Sequence, residues 1–345
     1  MSFFLGLSLL SFLINFVTLI PFINFLYKCR LQRRVQRTKD ALNHPTPLFD
    51  KYNHHKAGTP IGGGLLVVIN TTLLFFFSFP VLYYFWIPIT SIYRNISSEI
   101  KILIFTFLSF TLLGFYDDLK KIFLYKSDQF FGLRLRHKLV LEIVLSFLIA
   151  FWLFTDLKID MIYIPFFRVV HLGYFYIPFA AFVITAFANA YNITDGMDGL
   201  AAGILMIALV AFWVISHAIL DTPLSLFISI WLGALIAFLY FNIYPARIFL
   251  GDVGALTFGA TFAVIGLMLG KAFSLVIIGG LFVIEVFSSL IQLLGKKFLG
   301  RKIVKVAPLH LWLQVKGWHE STVIFRAWLI SIFLAIVGLW LAFLS

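Results

Sequence analysis

With 61% hydrophobic and only 12% charged side chains over 345 residues, and a mean hydropathy of +1.00, the chain has too little polar surface for a water-soluble domain. Its net charge of +12 is accounted for by anionic lipid, so no nucleic-acid partner is expected. Cys29 is the single cysteine, which excludes an internal disulfide and a cysteine-built metal cluster.

In chain order, apolar segments long enough to cross about 30 Å of hydrocarbon lie at 3–27, 59–86, 102–116, 138–155, 172–190, 197–217, 223–241, 253–270, 273–295 and 323–344. They predict an all-α, polytopic membrane protein of about ten transmembrane helices, in a single domain over 1–345 with no fixed-period repeat. The first run has no basic residues before it and no small-residue cleavage site, so it reads as a retained span. An even count puts both termini on one side. The loops after the odd-numbered spans hold 22 of the 27 Lys and Arg residues, which places those loops in the cytosol and the termini on the extracytoplasmic side. The even loops carry Arg94, Lys101, Lys158, Arg168 and Lys271 with Glu99, Asp156, Asp160 and Asp221, and read as solvated connections.

Every polar cluster falls in the odd loops. After the third span come Asp117 and Asp118, neighbours about 100° apart on a helix, so that one can face a site while the other pairs with Lys121. A charged helix end at a membrane surface would also explain them. The central stretch, Asn189 to Leu200, sets two asparagines, a threonine, Asp195 and Asp198 between apolar runs, a costly arrangement unless it is used. Asp252 stands between Gly251 and Gly254, where backbone can approach a ligand closely; a tight turn would look similar. Together Asp117, Asp118, Asp195, Asp198 and Asp252 are hard oxygen donors suited to Mg²⁺ with substrate phosphates completing its shell. Lys56, Lys121, Lys138 and the cations of 296–316 can gather those phosphates, although most basic residues are topology signal. Glu142 has Lys138 one helical turn away as its expected partner.

The motifs taken together, His54-His55-Lys56-Ala57-Gly58-Thr59-Pro60 with Gly63-Gly64, Asp117-Asp118, Asn189 to Ala202, Asn242 to Gly254, Glu285 with Gln292, Ala307-Pro308-Leu309-His310 and Gly317-Trp318-His319-Glu320 with Arg326, resemble the phospho-N-acetylmuramoyl-pentapeptide transferases, of glycosyltransferase family 4. The resemblance implies transfer of a phospho-sugar from UDP-MurNAc-pentapeptide to undecaprenyl phosphate, giving lipid I and UMP with Mg²⁺, at the cytosolic face of the bacterial inner membrane, by a homodimer. Carried over by motif, Asp252 is the magnesium ligand, Asp117 and Asp118 are acids on the lipid-phosphate side, and His310 belongs to the catalytic set. Asn192, Asp195, Gly196, Met197 and Asp198 fall to the nucleoside, Asn242 and Phe249 flank the uracil, and Lys56, Thr59, Lys121 and Lys138 fall to the substrate. The chain departs from the family pattern at His310-Leu311-Trp312 and Gln314, where three histidines and a glutamate are usual, and at Gly62 in place of methionine. Two other readings are a relative using another UDP-sugar such as UDP-GlcNAc, and a transporter using Glu142 and Glu285 as intramembrane ion sites.

Overall fold

The computed structural model describes residues 1–32, 45–123, 133 and 135–344. Arg33, Arg34, Arg37, Lys39, Lys126 and Arg134, which contribute to the positive-loop count, lie outside the described residues.

Each of the ten apolar segments is helical: α1 (Ser2–Lys28), α3 (Gly63–Tyr84), α4 (Ile96–Phe123), α5 (Leu135–Thr155), α6 (Tyr176–Thr194), α7 (Leu200–Ala218), α8 (Thr222–Asn242), α9 (Asp252–Met268), α10 with α11 (Ala272–Ile278 and Gly280–Leu299) and α13 (Glu320–Phe343). Eight are long and apolar enough to cross a membrane. The other two segments are modified. The ninth breaks at Gly279, where α10 and α11 meet at 78°, and α9 has 17 residues, about 26 Å of rise against about 30 Å of hydrocarbon. A short helix suits α9 because it sits at the centre, packed on α3, α4, α6, α7 and α10, with Val253 to Met268 all buried.

Two short helices, α2 (Pro47–Asn53) and α12 (Leu309–Val315), flank the polar loops, and an antiparallel hairpin, β1 (Met161–Ile164) with β2 (Arg168–His171), joins α5 to α6. At that opposite end of the bundle the reading of solvated connections fails for two acids. Glu99 and Asp221 are fully buried. Asp221 Oδ1 accepts the Leu224 N–H at 3.0 Å, capping α8, while Ser91 Oγ donates to Glu99 Oε2 at 2.6 Å. Sequence proximity to a helix end conceals such capping geometry.

Interhelical contact follows small and polar residues, as expected where apolar side chains gain nothing over lipid. Ser11 Oγ donates to the Ile230 carbonyl at 2.7 Å between α1 and α8, and Asn70 Nδ2 of α3 donates to Asn15 Oδ1 and Thr18 Oγ1 of α1 at 3.1 and 3.0 Å.

Candidate active site

A small residue delivers the acidic end of α4 to α9. A Cβ on Gly114 would meet the Asp252 carbonyl oxygen at 2.2 Å, so only glycine lets the two backbones touch there. Asp117 and Asp118 follow within a turn and divide in function. Asp118 Oδ2 accepts the Val253 N–H at 2.9 Å, satisfying one of the unpaired donors in the first turn of α9. Beside it Gly251 has φ +81° and its Cβ would meet that carboxylate oxygen at 2.6 Å, so both turn and cap require glycine.

Asp117 faces the cations. Its Oδ1 accepts the Leu133 N–H at 2.6 Å, and its Oδ2 lies 3.2 and 3.1 Å from Lys121 and Lys138 Nζ. The same two ammoniums lie 2.6 and 2.5 Å from Asp252 Oδ2. Two carboxylates and two lysines thus close a compact square, in which Asp252 is the more open carboxylate, at 14% exposure against 2% for Asp117. Lys121 therefore pairs with Asp117, four residues back, and not with Asp118.

The expected Lys138–Glu142 pair is not made. Lys138 reaches off the start of α5 to two carboxylates, which together outweigh one, while Glu142 Oε2 accepts Asn189 Nδ2 of α6 at 2.5 Å.

The second half of the site is built on the 195–199 turn. Lys56 Nζ lies 2.9 Å from Asp198 Oδ1 and 2.6 Å from Glu320 Oε1, and the latter oxygen also accepts the Asp198 N–H at 3.0 Å. Asp198 Oδ2 accepts the Ala246 N–H at 2.9 Å. Asn242 Oδ1 accepts the Gly199 N–H at 3.0 Å and its Nδ2 donates to the Ile248 carbonyl at 2.9 Å. Thr59 N–H closes the turn onto the Lys56 carbonyl at 3.3 Å. Phe249 N–H donates to the Pro60 carbonyl at 2.9 Å, and its carbonyl accepts from Gly62 and Gly63 at 3.1 and 2.9 Å. These bonds strap the Lys56 loop to the Asp252 loop, leaving the side chains of Asn192 and Phe249 half-buried. The Met197 side chain is buried in the core beside the turn.

Asp195 closes α6 between the two halves. Burial pushes its carboxyl well above the usual range, and the charges of Asp252 and Asp198 push it further, against the pull of Lys56.

His310, on α12, is buried at 2% exposure and seated directly on this turn, since a Cβ on Gly196 would meet His310 Nε2 at 2.7 Å. Glu285 holds it from α11: Oε2 lies 3.2 Å from His310 Nδ1 and Oε1 accepts the His310 N–H at 3.1 Å. Leu311 beside it is buried, and Lys316 Nζ stands over the Trp312 ring at 3.7 Å. Glu285 and Glu320, absent from the sequence-based site residues, hold its histidine and one of its lysines. For Glu285 the signal was a lone acid in an apolar run, which needs a partner, and for Glu320 its place in the Gly317-Trp318-His319-Glu320 motif.

Among the described residues no three His, Cys, Asp or Glu side chains converge as a protein-only metal cage. The donor chemistry nonetheless suits a hard divalent cation. Asp252 is a partly open carboxylate that already collects two positive charges on one oxygen, and magnesium is commonly held by one or two carboxylates with substrate phosphates supplying the rest.

These features define a multi-pass helical membrane protein with a carboxylate–lysine cluster at one end of the bundle. Residues 100–270 match the family model described as glycosyl transferase family 4. The chain is 32% identical over 340 residues to the phospho-N-acetylmuramoyl-pentapeptide-transferase of Caldanaerobacter subterraneus subsp. tengcongensis, covering 98% of this chain and 97% of the relative. It is 36% identical over 247 residues to that of Clostridium novyi (71% and 75% covered) and 37% identical over 262 residues to that of Pelagibacter ubique (70% and 72% covered). The chain belongs to the phospho-N-acetylmuramoyl-pentapeptide transferase family, within glycosyl transferase family 4, and is a membrane transferase.

Proposed function

We propose that the chain transfers phospho-MurNAc-pentapeptide from UDP-MurNAc-pentapeptide to undecaprenyl phosphate, forming lipid I and UMP at the cytosolic face of the bacterial inner membrane. The observation that carries this reading is the juxtaposition of the Asp117–Lys121–Lys138–Asp252 square with the turn that holds Lys56, Asp195, Asp198 and His310. One half has the charges a diphosphate and a lipid phosphate need; the other has backbone and polar groups able to grip the remainder of a nucleotide sugar.

In the reaction an oxygen of the lipid phosphate forms a P–O bond to the sugar-bearing phosphorus. The bond joining the two phosphorus atoms through oxygen breaks on that phosphorus, and UMP leaves with the electron pair. Position and charge neutralisation do most of such work. A phosphate monoester has a second pKa near about 6, so the attacking group is a dianion at neutral pH and needs no strong base. Asp117, held by Lys121, Lys138 and the Leu133 N–H, accordingly positions cations and does not abstract a proton. Lys121 meets phosphate oxygens with Lys138 held behind it on Asp117, Lys56 is steered by Asp198 and Glu320, and His310 is presented by Glu285 to the sugar side. Asp252, with Asp117 next to it, would hold Mg²⁺, which when bound neutralises charge on the diphosphate and on departing UMP.

Leu311 and Trp312, in place of the histidines of the family pattern, favour testing a second donor. Purified protein is incubated with undecaprenyl phosphate, Mg²⁺ and radiolabelled UDP-MurNAc-pentapeptide or, separately, UDP-GlcNAc, and lipid products are extracted. Label in lipid only from the first donor supports the proposal; label only from the second moves the chain to another UDP-sugar, and none from either sinks the transferase chemistry. Asp252→Asn is expected to lose turnover by about 10³-fold while its thermal midpoint stays near wild type; a magnesium-dependent rate within tenfold of wild type contradicts the metal role. Cross-linking in native membranes tests the homodimer.

A further inference from the structure

Glu142 is fully buried on α5, its Oε2 taken by Asn189 and its Oε1 without a hydrogen-bond partner. A buried carboxylate oxygen left unsatisfied is costly and is retained where something uses it. The surrounding seam is otherwise complete: Asn189 Nδ2 also donates to the Thr185 carbonyl at 2.9 Å, and Thr185 Oγ1 donates to Ser146 Oγ at 2.9 Å. Lys138 sits one helical turn away on the same face of α5 and within electrostatic reach.

Lys138 has the complementary need. Its ammonium, at 12% exposure, shares Asp252 Oδ2 with Lys121. Anything cationic that comes to Asp252 must displace at least one of these two. Lys121, at 23%, has a way out toward open space, whereas the more enclosed Lys138 would be left only Asp117 Oδ2, which it shares with Lys121.

We propose that Glu142 is a positioning residue that gives Lys138 a second station: with Asp252 free the ammonium lies on Asp252, and with Asp252 engaged by substrate or cation it turns to Glu142 Oε1 while keeping Asp117. Through Asn189 the same carboxylate ties this movement to α6, which leads into the Asp195–Asp198 turn. The kinetic consequence rests on the transferase reading; the movement of Lys138 does not.

The test separates the two. Asp252→Asn removes the first station, and Glu142→Gln removes the charge of the second while keeping an oxygen for Asn189. Lys138 acetylation by a small succinimidyl ester, followed by peptide mass spectrometry on the folded protein in detergent, is expected to be slow in wild type and in Asp252→Asn. It should be roughly fivefold faster or more in the double variant, a non-additive result. Equal labelling of Asp252→Asn and the double variant overturns the proposal, whether or not the wild type makes lipid product. In the Glu142→Gln single variant, intrinsic tryptophan fluorescence should give a thermal midpoint no lower than wild type, since a buried charge is removed. Its kcat should fall about tenfold with KM for the nucleotide substrate within twofold. A lowered midpoint with kcat and KM intact would mean a structural role alone and would equally overturn it.

Discussion

His310 is the one histidine where the family pattern has three, and it is buried against the 195–199 turn. Glu285 accepts the His310 N–H and lies 3.2 Å from Nδ1, and the ring rests on the surface of Gly196. His310→Ala is expected to lower kcat by about 10²-fold in the lipid-product assay. Gly196→Ala, which pushes a methyl toward Nε2, should lower it through the same contact with every functional side chain still present. Full activity in both variants would show that α12 does not bear on catalysis. Asp195 supports a prediction about pH. Because burial raises its carboxyl in the folded protein, the fold holds that proton more tightly than the unfolded chain does. The stability this contributes is complete below the ordinary value of 3.8 and is lost as pH rises through the raised one. Asp195→Asn should therefore raise the thermal midpoint at pH 8 relative to wild type and leave it unchanged near pH 3.5, as measured by tryptophan fluorescence.

At the scale of the elements, the α4–α9 contact decides whether the acids meet. Gly114→Ala should part the two helices at the Asp252 carbonyl, lowering the thermal midpoint and separating Asp117 from Asp252 while both carboxylates remain. A variant with wild-type midpoint and rate would refute the role given to this crossing. The helices themselves were legible because hydrocarbon demands about twenty apolar residues in a row, and the site was legible as far as Asp117, Asp195 and Asp252 because acids are conspicuous in so apolar a chain. What stayed hidden depends on three-dimensional neighbours. The break at Gly279 interrupts no apolar run, the pairing of Lys138 was decided by α4 and α9 and not by its own helix, and Met197 looked like part of a polar turn although its side chain points into the core. Glu99 and Asp221 likewise looked solvated because nothing in the sequence shows which side of a helix end the chain folds over.

For the molecule as a whole, the first matter to establish is which side of the membrane receives the site. In a Cys29→Ser background, Lys302→Cys should react with an impermeant maleimide only in opened vesicles or from the inside, and Arg94→Cys from outside intact cells; the reverse pattern would remove the nucleotide substrate from reach. The bend between α10 and α11 then acquires a mechanical meaning. Glu285 stands about 9 Å along α11 from Gly279, so a 10° change in the bend moves its carboxylate by about 1.5 Å, and misplacement by about 1 Å can cost a reaction 10²-fold. The joint is stiffened by its packing: a Cβ at Gly279 would meet Phe187 at 2.7 Å and Phe262 at 3.0 Å. With α10 lying against α13 and Glu285 of α11 accepting the His310 N–H, the bend links the α10–α13 contact to the position of the imidazole.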